Sequence, residues 1–268
     1  MKKNLLDPYM IAGGAEGADR LTILANATWD YSAKFLQSAG LSEGMSYLDL
    51  GCGNGAITNR VAMSFGPFTK ITAVDADESV LEFARIDAAK KGVNVLYQVF
   101  DLEGSWPAGE YDFIYVRLLL SHLRRPETLL LKIKSLLRPG GTIAIEDVDF
   151  NGHFSYPVSQ AFNRYVDIYR RIGEIKGVDP LIGPRLPGLV RGAGFTNIEM
   201  KVISPTYESG PGKLMALLTL KNIYQAVIEA GLATQEEVDQ LIVELEAFTE
   251  SPSSIMSLPR FFQVFGKN

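Results

Sequence analysis

The sequence predicts a doubly wound α/β protein, a mostly parallel sheet covered by helices on both faces. Three observations carry that expectation. Short apolar runs alternate with helical patterns between about 46 and 149, a glycine-rich turn joins the first run to the first helix, and no Ser/Gly/Pro-rich linker breaks the 268-residue chain. Parallel strands need crossover connections, which is what the intervening helices supply.

The elements follow in order. Leu21, Leu24, Ala25, Thr28, Tyr31, Phe35 and Leu36 recur at helical spacing from Gly17 to Ala39, with Gly40 as the stop, so a helix precedes the sheet. SYLDL reads as the first strand, ending at Leu50. A glycine turn leads from it into a helix with Ile57, Val61 and Phe65 on one face. KITAV ends at Asp75, and Asp77 can cap a helix through Val80, Leu81, Ala84 and Ala88 that stops at Gly92. VNVLYQV and YDFIYV are the next strands. Pro126 opens a helix carrying Leu129, Leu130, Ile133, Leu136 and Leu137, and TIAIEDV follows the Pro139-Gly140-Gly141 break.

After Asp149 the order changes. Helices are expected from Pro157 to about Lys176 and from Pro184 to Ala193, then a strand near Ile198–Ile203. Two more helices fall within Gly210–Glu250, the second opened by the capping-box pair Thr234 and Glu237, and FFQVF closes the chain as a strand. The division expected is one domain over 1–268: a cap over 1–45, a core over 46–150, and the remaining sheet over 151–268 with a helical insertion at about 206–250. That insertion is also the expected face of a homodimer.

Hydrophobic residues make up 47% and charged residues 21%, values of a globular chain. A net charge of −5 leaves no basic excess to collect phosphates, which argues against nucleic acid as a partner. One cysteine and two histidines offer no ligand set for a structural metal. MKKNLLDPYM lacks the apolar core of a signal peptide, and the longest apolar runs, such as Val116–Leu120, are far too short to span a bilayer. A cytoplasmic location without membrane attachment is expected.

The sharpest chemical signal is Asp49-x-Gly51-x-Gly53-x-Gly55 at the end of the first strand, followed 20 residues after Gly55 by Asp75 at the end of the second. Glycines remove the Cβ atoms that would hold a ligand off the backbone, and a carboxylate accepts both hydroxyls of a ribose. Together they describe an adenosine site. Gly51-x-Gly53-x-x-Ala56 also satisfies the fingerprint of dinucleotide enzymes, so these residues alone leave an NAD-type oxidoreductase open.

Further along, SYLDLGCGNG, AVDAD, FDLEGSW, YDFIYVRLLLSHL and LLRPGGTIAIED resemble, in this order, the successive motifs of class I S-adenosylmethionine-dependent methyltransferases. RLPGLVRGAGFTNIEM and FFQVF resemble that family's last helix and its final strands, and YMIAGGAEGADRL resembles the N-terminal cap of small-molecule members. The resemblance implies a Rossmann-like, seven-stranded sheet with an antiparallel last strand and S-adenosyl-L-methionine as cofactor. It implies methyl transfer to O, N or C of a small molecule, with S-adenosyl-L-homocysteine as product.

Carried over, Gly51, Gly53 and Gly55 would line the methionine part and Asp49 would support the loop or the amino group. Asp75, with Ala76 beside it, would hold the ribose. Asp101 and Leu102 would grip adenine, and Arg117 would lie near the methionine end. Arg20 would pair with the cofactor carboxylate and Tyr9 would close the lid. The stretch Arg117-Leu-Leu-Leu-Ser-His122 departs from the Asn-Pro-Pro-Tyr pattern of adenine and glutamine methylating enzymes, which argues against those acceptors. His122 is the candidate base, with His153, Glu146 and Asp147 as rivals, and His153 reads as a surface loop residue. Met215, Leu217, Leu218, Leu220 and Ile223 read as core. A third reading is a cofactor-binding module without methyl transfer.

Overall fold

The computed structural model describes residues 14–101, 106 and 110–268; Tyr9 and Leu102 lie outside them. A seven-stranded sheet is built from β1 (Ser46–Leu50), β2 (Lys70–Asp75), β3 (Leu96–Val99), β4 (Tyr111–Arg117), β5 (Leu137–Asp149), β7 (Thr196–Ile203) and β10 (Arg260–Lys267). Its order is β3-β2-β1-β4-β5-β10-β7. The first five strands are parallel, and β10 runs antiparallel between β5 and β7.

Both faces of the central strands are buried, and the period of two divides each of these strands between the faces. Tyr47, Phe113, Tyr115 and Ala144 face α1 (Gly14–Ser38) and α2 (Ala56–Phe65). Leu48, Ile114, Val116 and Ile145 face α4 (Pro126–Leu136) and α6 (Leu186–Gly192). The α3 helix (Glu78–Lys91) packs Leu81, Ala84 and Ala88 on Ala73 and Tyr97. Its start is capped by Asp77, whose side chain accepts from the Ser79 N–H, and it ends on Gly92 at φ 66°.

A third layer lies over the carboxyl ends of the central strands. It comprises α5 (Gln160–Lys176), α7 (Met215–Glu229) and α8 (Gln235–Glu250), with Phe162, Tyr165, Ile168, Leu220, Val227 and Leu245 in one apolar cluster. The Thr234–Glu237 capping box forms at the start of α8. Met215, Leu217, Leu220 and Ile223 are buried in this cluster. A small sheet absent from the sequence reading, β6 (Ser155–Tyr156), β9 (Ile255–Ser257) and β8 (Thr206–Tyr207) in the order β6-β9-β8, fastens this layer. Among the described residues, no helix is long and apolar enough to cross a membrane.

The sheet order reverses between β1 and β4, since β2 and β3 extend one way and β4 and β5 the other. Chain connections leave in opposite directions there and open a crevice at the strand ends. The loop after β1 enters that crevice.

Candidate functional site

Gly51, Gly53 and Gly55 all hold positive φ, at 77°, 54° and 69°. Only the first two serve the crevice. Gly51 and Gly53 line a cavity with about 1130 Å³ of empty space, part of it open to solvent. A Cβ on Gly55 would instead clash with the Tyr97 hydroxyl and meet the Ala84 Cβ at 2.7 Å. Gly55 lets α2 and the β3–α3 layer approach, so the expectation that it lines the ligand is corrected to a packing role.

Asp75 is bound into the same turn. Its carboxylate accepts the Gly53 N–H at 2.8 Å and the Asp77 N–H at 3.0 Å, and it lines the cavity. Each oxygen takes one backbone bond and keeps capacity for another donor. Burial pushes its pKa up, against the pull of these backbone donors. Ala76 and Asp101 are exposed and lie outside the cavity wall. Phe100 N–H donates to the Asp75 carbonyl, which puts Asp101 at the neighbouring strand end, beyond the enclosed part.

Asp49 is buried at the end of β1, accepts from the Thr58 hydroxyl at 2.6 Å and lines the cavity floor. Burial pushes its pKa up to about 7, opposed by Thr58 and by the charge of Arg117. A carboxyl with so raised a pKa favours a cation nearby, because a positive charge restores the ionised form. Its usual value is 3.8, so the folded chain retains this proton where the unfolded chain has lost it. The associated stability is present below about pH 4 and is lost as pH rises through about 7. Asp49→Asn should therefore narrow the difference in urea stability between pH 5 and pH 8, and an unchanged difference would refute the assignment.

The cap helix α1 closes the cavity from above. Asn54 in the glycine turn donates to the Ala18 carbonyl and the Thr22 hydroxyl, each at 2.7 Å. Arg20 is buried on the cavity wall and donates from Nε to Thr219 of α7 at 3.2 Å, and among the described residues its outer nitrogens hold no other hydrogen bond or ion pair. Lower on the helix, Ser32 donates to Glu146 at 2.7 Å, and Thr28 accepts from Arg117 at 2.7 Å. Glu146 also accepts from Tyr115 and Gln263 and faces the Arg117 Nε at 3.4 Å. Burial of this ion pair fixes where α1 sits, because removing one partner would strand a charge.

Opposite the glycine turn the wall is aromatic and apolar. Phe150 stacks on Tyr169 at 3.9 Å between ring centroids, and Tyr165, Met215, Leu258 and Phe261 complete this side. Leu118, at the end of β4, holds the left-handed φ of 52°, a strained conformation for a side chain with Cβ, and also lines the cavity. His122 is buried in a short 3-10 turn, Leu120–His122, on the cavity wall.

His153 is not a surface loop residue. It lines the cavity, its Nδ1 lies 3.1 Å from the Ser257 carbonyl, and its ring meets Phe150 edge-on at 4.8 Å. Burial pushes its pKa down to about 3, so the imidazole is neutral and Nδ1–H donates to Ser257. The two acidic rivals face elsewhere: Glu146 is held in the network above, and Asp147 accepts the Ser121 and Val148 N–H groups and does not line the cavity.

The methyltransferase-domain family matches residues 41–177, half of the chain, which include the glycine turn, Asp75 and the ends of β4 and β5. The chain belongs to that family. As a member of it, the chain is 26% identical over 149 residues to a ubiquinone biosynthesis O-methyltransferase of Bordetella avium, an alignment covering 50% of this chain and 61% of the relative. The chain thus spans about half to three fifths of the length of the curated relatives it matches. Among solved structures it is similar to Haemonchus contortus phosphoethanolamine N-methyltransferase 2, determined with phosphomonomethylethanolamine and S-adenosylhomocysteine. The identity is 20%, the TM-score 0.54, and the match covers 89% of this chain and 52% of that one. It is also similar to the cycloaddition enzyme SpnF, at 18% identity and TM-score 0.54, over 96% of this chain and 84% of that one. These two likenesses bear on the fold, and the second shows that members of one fold carry different chemistry.

Within this methyltransferase-family chain, the structure gathers Arg20, Asp49, Gly51, Gly53, Asp75, Arg117 and His122 on one cavity. Sequence reasoning missed Phe150, Tyr165, Tyr169 and Thr219, which reach the same cavity from α5, α7 and the end of β5. Their spacing marks only buried helix faces, so no local signal separates them from core.

Proposed function

We propose that this chain transfers a methyl group from S-adenosyl-L-methionine to an uncharged, largely apolar small molecule. The observation that carries the reading is the shared cavity, whose lining joins the glycine turn and two carboxyls to a set of aromatic side chains. When bound, S-adenosyl-L-methionine supplies a methyl on a sulfonium, already activated for displacement, so placement matters more than a dedicated base.

The chain's own residues divide the work. Asp75 accepts the ribose hydroxyls, Asp49 meets the positively charged methionine end, and Arg20 takes its carboxylate through its free nitrogens. Asp101 receives the adenine and Ala76 borders the ribose; the roles expected of Leu102 and Tyr9 fall on residues outside those described. Arg117 holds α1 down over this half through Thr28. On the other half, Phe150, Tyr165 and Phe261 exclude water and orient the acceptor. The neutral His153 offers Nε2 as a hydrogen-bond acceptor for an acceptor hydroxyl or amine, and His122 is the group positioned to take a proton.

Mass spectrometry of the ligand retained on the purified chain, followed by incubation with a panel of neutral aromatic acceptors, tests the reading. An S-adenosyl compound and a methylated product are expected. A retained nicotinamide nucleotide would overturn the cofactor, and S-adenosylmethionine binding without any methylated product would favour a binding module instead.

A further inference from the structure

The far edge of the large sheet carries a surface that the cavity does not use. β7 bonds to β10 on one side, and among the described residues no backbone group bonds to its other side. Apart from Ile198, every residue from Thr196 to Val202 is exposed, Met200 by 52% and Val202 by 41%. Long unpaired edges template pairing with another chain, and natural proteins usually blunt them with proline, bulges or inward-facing charge. Here the strand holds no proline, and its one irregularity against β10, between Thr196 and Glu199 where Asn197 holds φ 48°, lies at its start, leaving Glu199–Ile203 regular.

The edge is complementary to itself. Ile198, Met200 and Val202 share one face, and Glu199 and Lys201 share the other. Among the described residues neither Glu199 nor Lys201 makes an ion pair or a side-chain hydrogen bond within the chain. We propose that β7 pairs antiparallel with β7 of a second copy of this chain, about a two-fold axis at Met200, joining the two sheets into one. In this register Glu199 stands opposite the partner's Lys201, Ile198 opposite the partner's Val202, and Met200 opposite the partner's Met200.

Neighbouring registers are disfavoured. A shift one way sets Glu199 against the partner's Glu199, and a shift the other way sets Lys201 against the partner's Lys201; like charges directly opposite destabilise a strand pair. The two-fold repeats every contact, so a single change of charge alters two pairs at once. One strand with its flanking side chains buries little area, so the association is of the modest, concentration-dependent kind.

Sedimentation of the full chain over a range of concentrations tests this, using wild type, Glu199→Lys, Lys201→Glu and the double exchange. The wild type is expected to dimerise, and each single variant to dissociate at least about tenfold more readily. The double exchange, and an equimolar mixture of the two single variants, restore opposite-charge pairs and should recover the dimer. That recovery also shows that the exchanged chains are folded. A wild type that stays monomeric throughout, or single variants that dimerise as it does, would overturn the proposal.

Discussion

Replacing Asp75 by alanine should weaken S-adenosylmethionine binding by about 1.5–3 kcal/mol, roughly 10- to 150-fold, as the lost hydrogen bonds to a charged acceptor require. Titration calorimetry reads this directly. Two losses combine in the variant. The ribose hydroxyls lose their acceptor, and the Gly53 and Asp77 N–H groups lose the carboxylate that shapes the turn. Asp75→Asn keeps one acceptor oxygen and should lose less, so the pair of variants separates the missing charge from the distorted loop. Equal affinity for wild type and Asp75→Ala would place the nucleoside elsewhere and remove the basis for the proposed function.

The three glycines should respond differently to substitution. At Gly55 a side chain meets Tyr97 and Ala84 at impossible distances, in a left-handed backbone. Strain of about 1–2 kcal/mol from the backbone and about 1–3 kcal/mol from overpacking add together, so Gly55→Val should cost about 3 kcal/mol or more. That lowers the melting temperature by roughly 10 °C for a chain of this size. The Tyr97 hydroxyl, which donates to Asn59 at 2.7 Å, is displaced as well. At Gly51 the nearest atoms are the Leu119 side chain at 3.3 Å, which can give way. Gly51→Ala carries the same backbone strain of about 1–2 kcal/mol, since Gly51 holds φ 77°, but little overpacking, so it should lose less stability than Gly55→Val while losing cofactor affinity, because its new methyl projects beside the cavity wall. Calorimetric melting and cofactor titration of both variants check the contrast; a Gly55→Val chain that melts as the wild type does would remove the packing role assigned to that position.

Much of the core was legible because its signals are local. Strand and helix periods, the Asp77 cap, the Thr234–Glu237 capping box and the glycine stops each involve residues within one or two turns of each other; the two caps and the Gly92 stop formed where the pattern placed them, whereas Leu137, expected on the helix, opens β5, which runs on through the Pro139-Gly140-Gly141 break. The Asp49–Gly51–Gly53–Asp75 constellation was legible for a related reason. A parallel sheet brings the ends of adjacent strands together, so residues ending β1 and β2 must meet, and the Gly53 N–H reaches Asp75 at 2.8 Å.

The acceptor side of the cavity carried no such signal. β6, β8 and β9 contain two or three residues each, too few to show a period, and their pairings, such as Ser155 with Met256 and Thr206 with Ser257, join segments far apart in the sequence. His153 read as a surface loop residue because nothing near it in sequence announces Ser257 or Phe162 as its surroundings. By itself the sequence determined the sheet, the turn and the carboxylates at the strand ends, since those depend on short-range spacing and strand adjacency. The tertiary structure alone decided that Gly55 packs, that His153 turns inward as a neutral ring, and which aromatic side chains face the glycine turn, because burial is set by what long-range packing brings alongside.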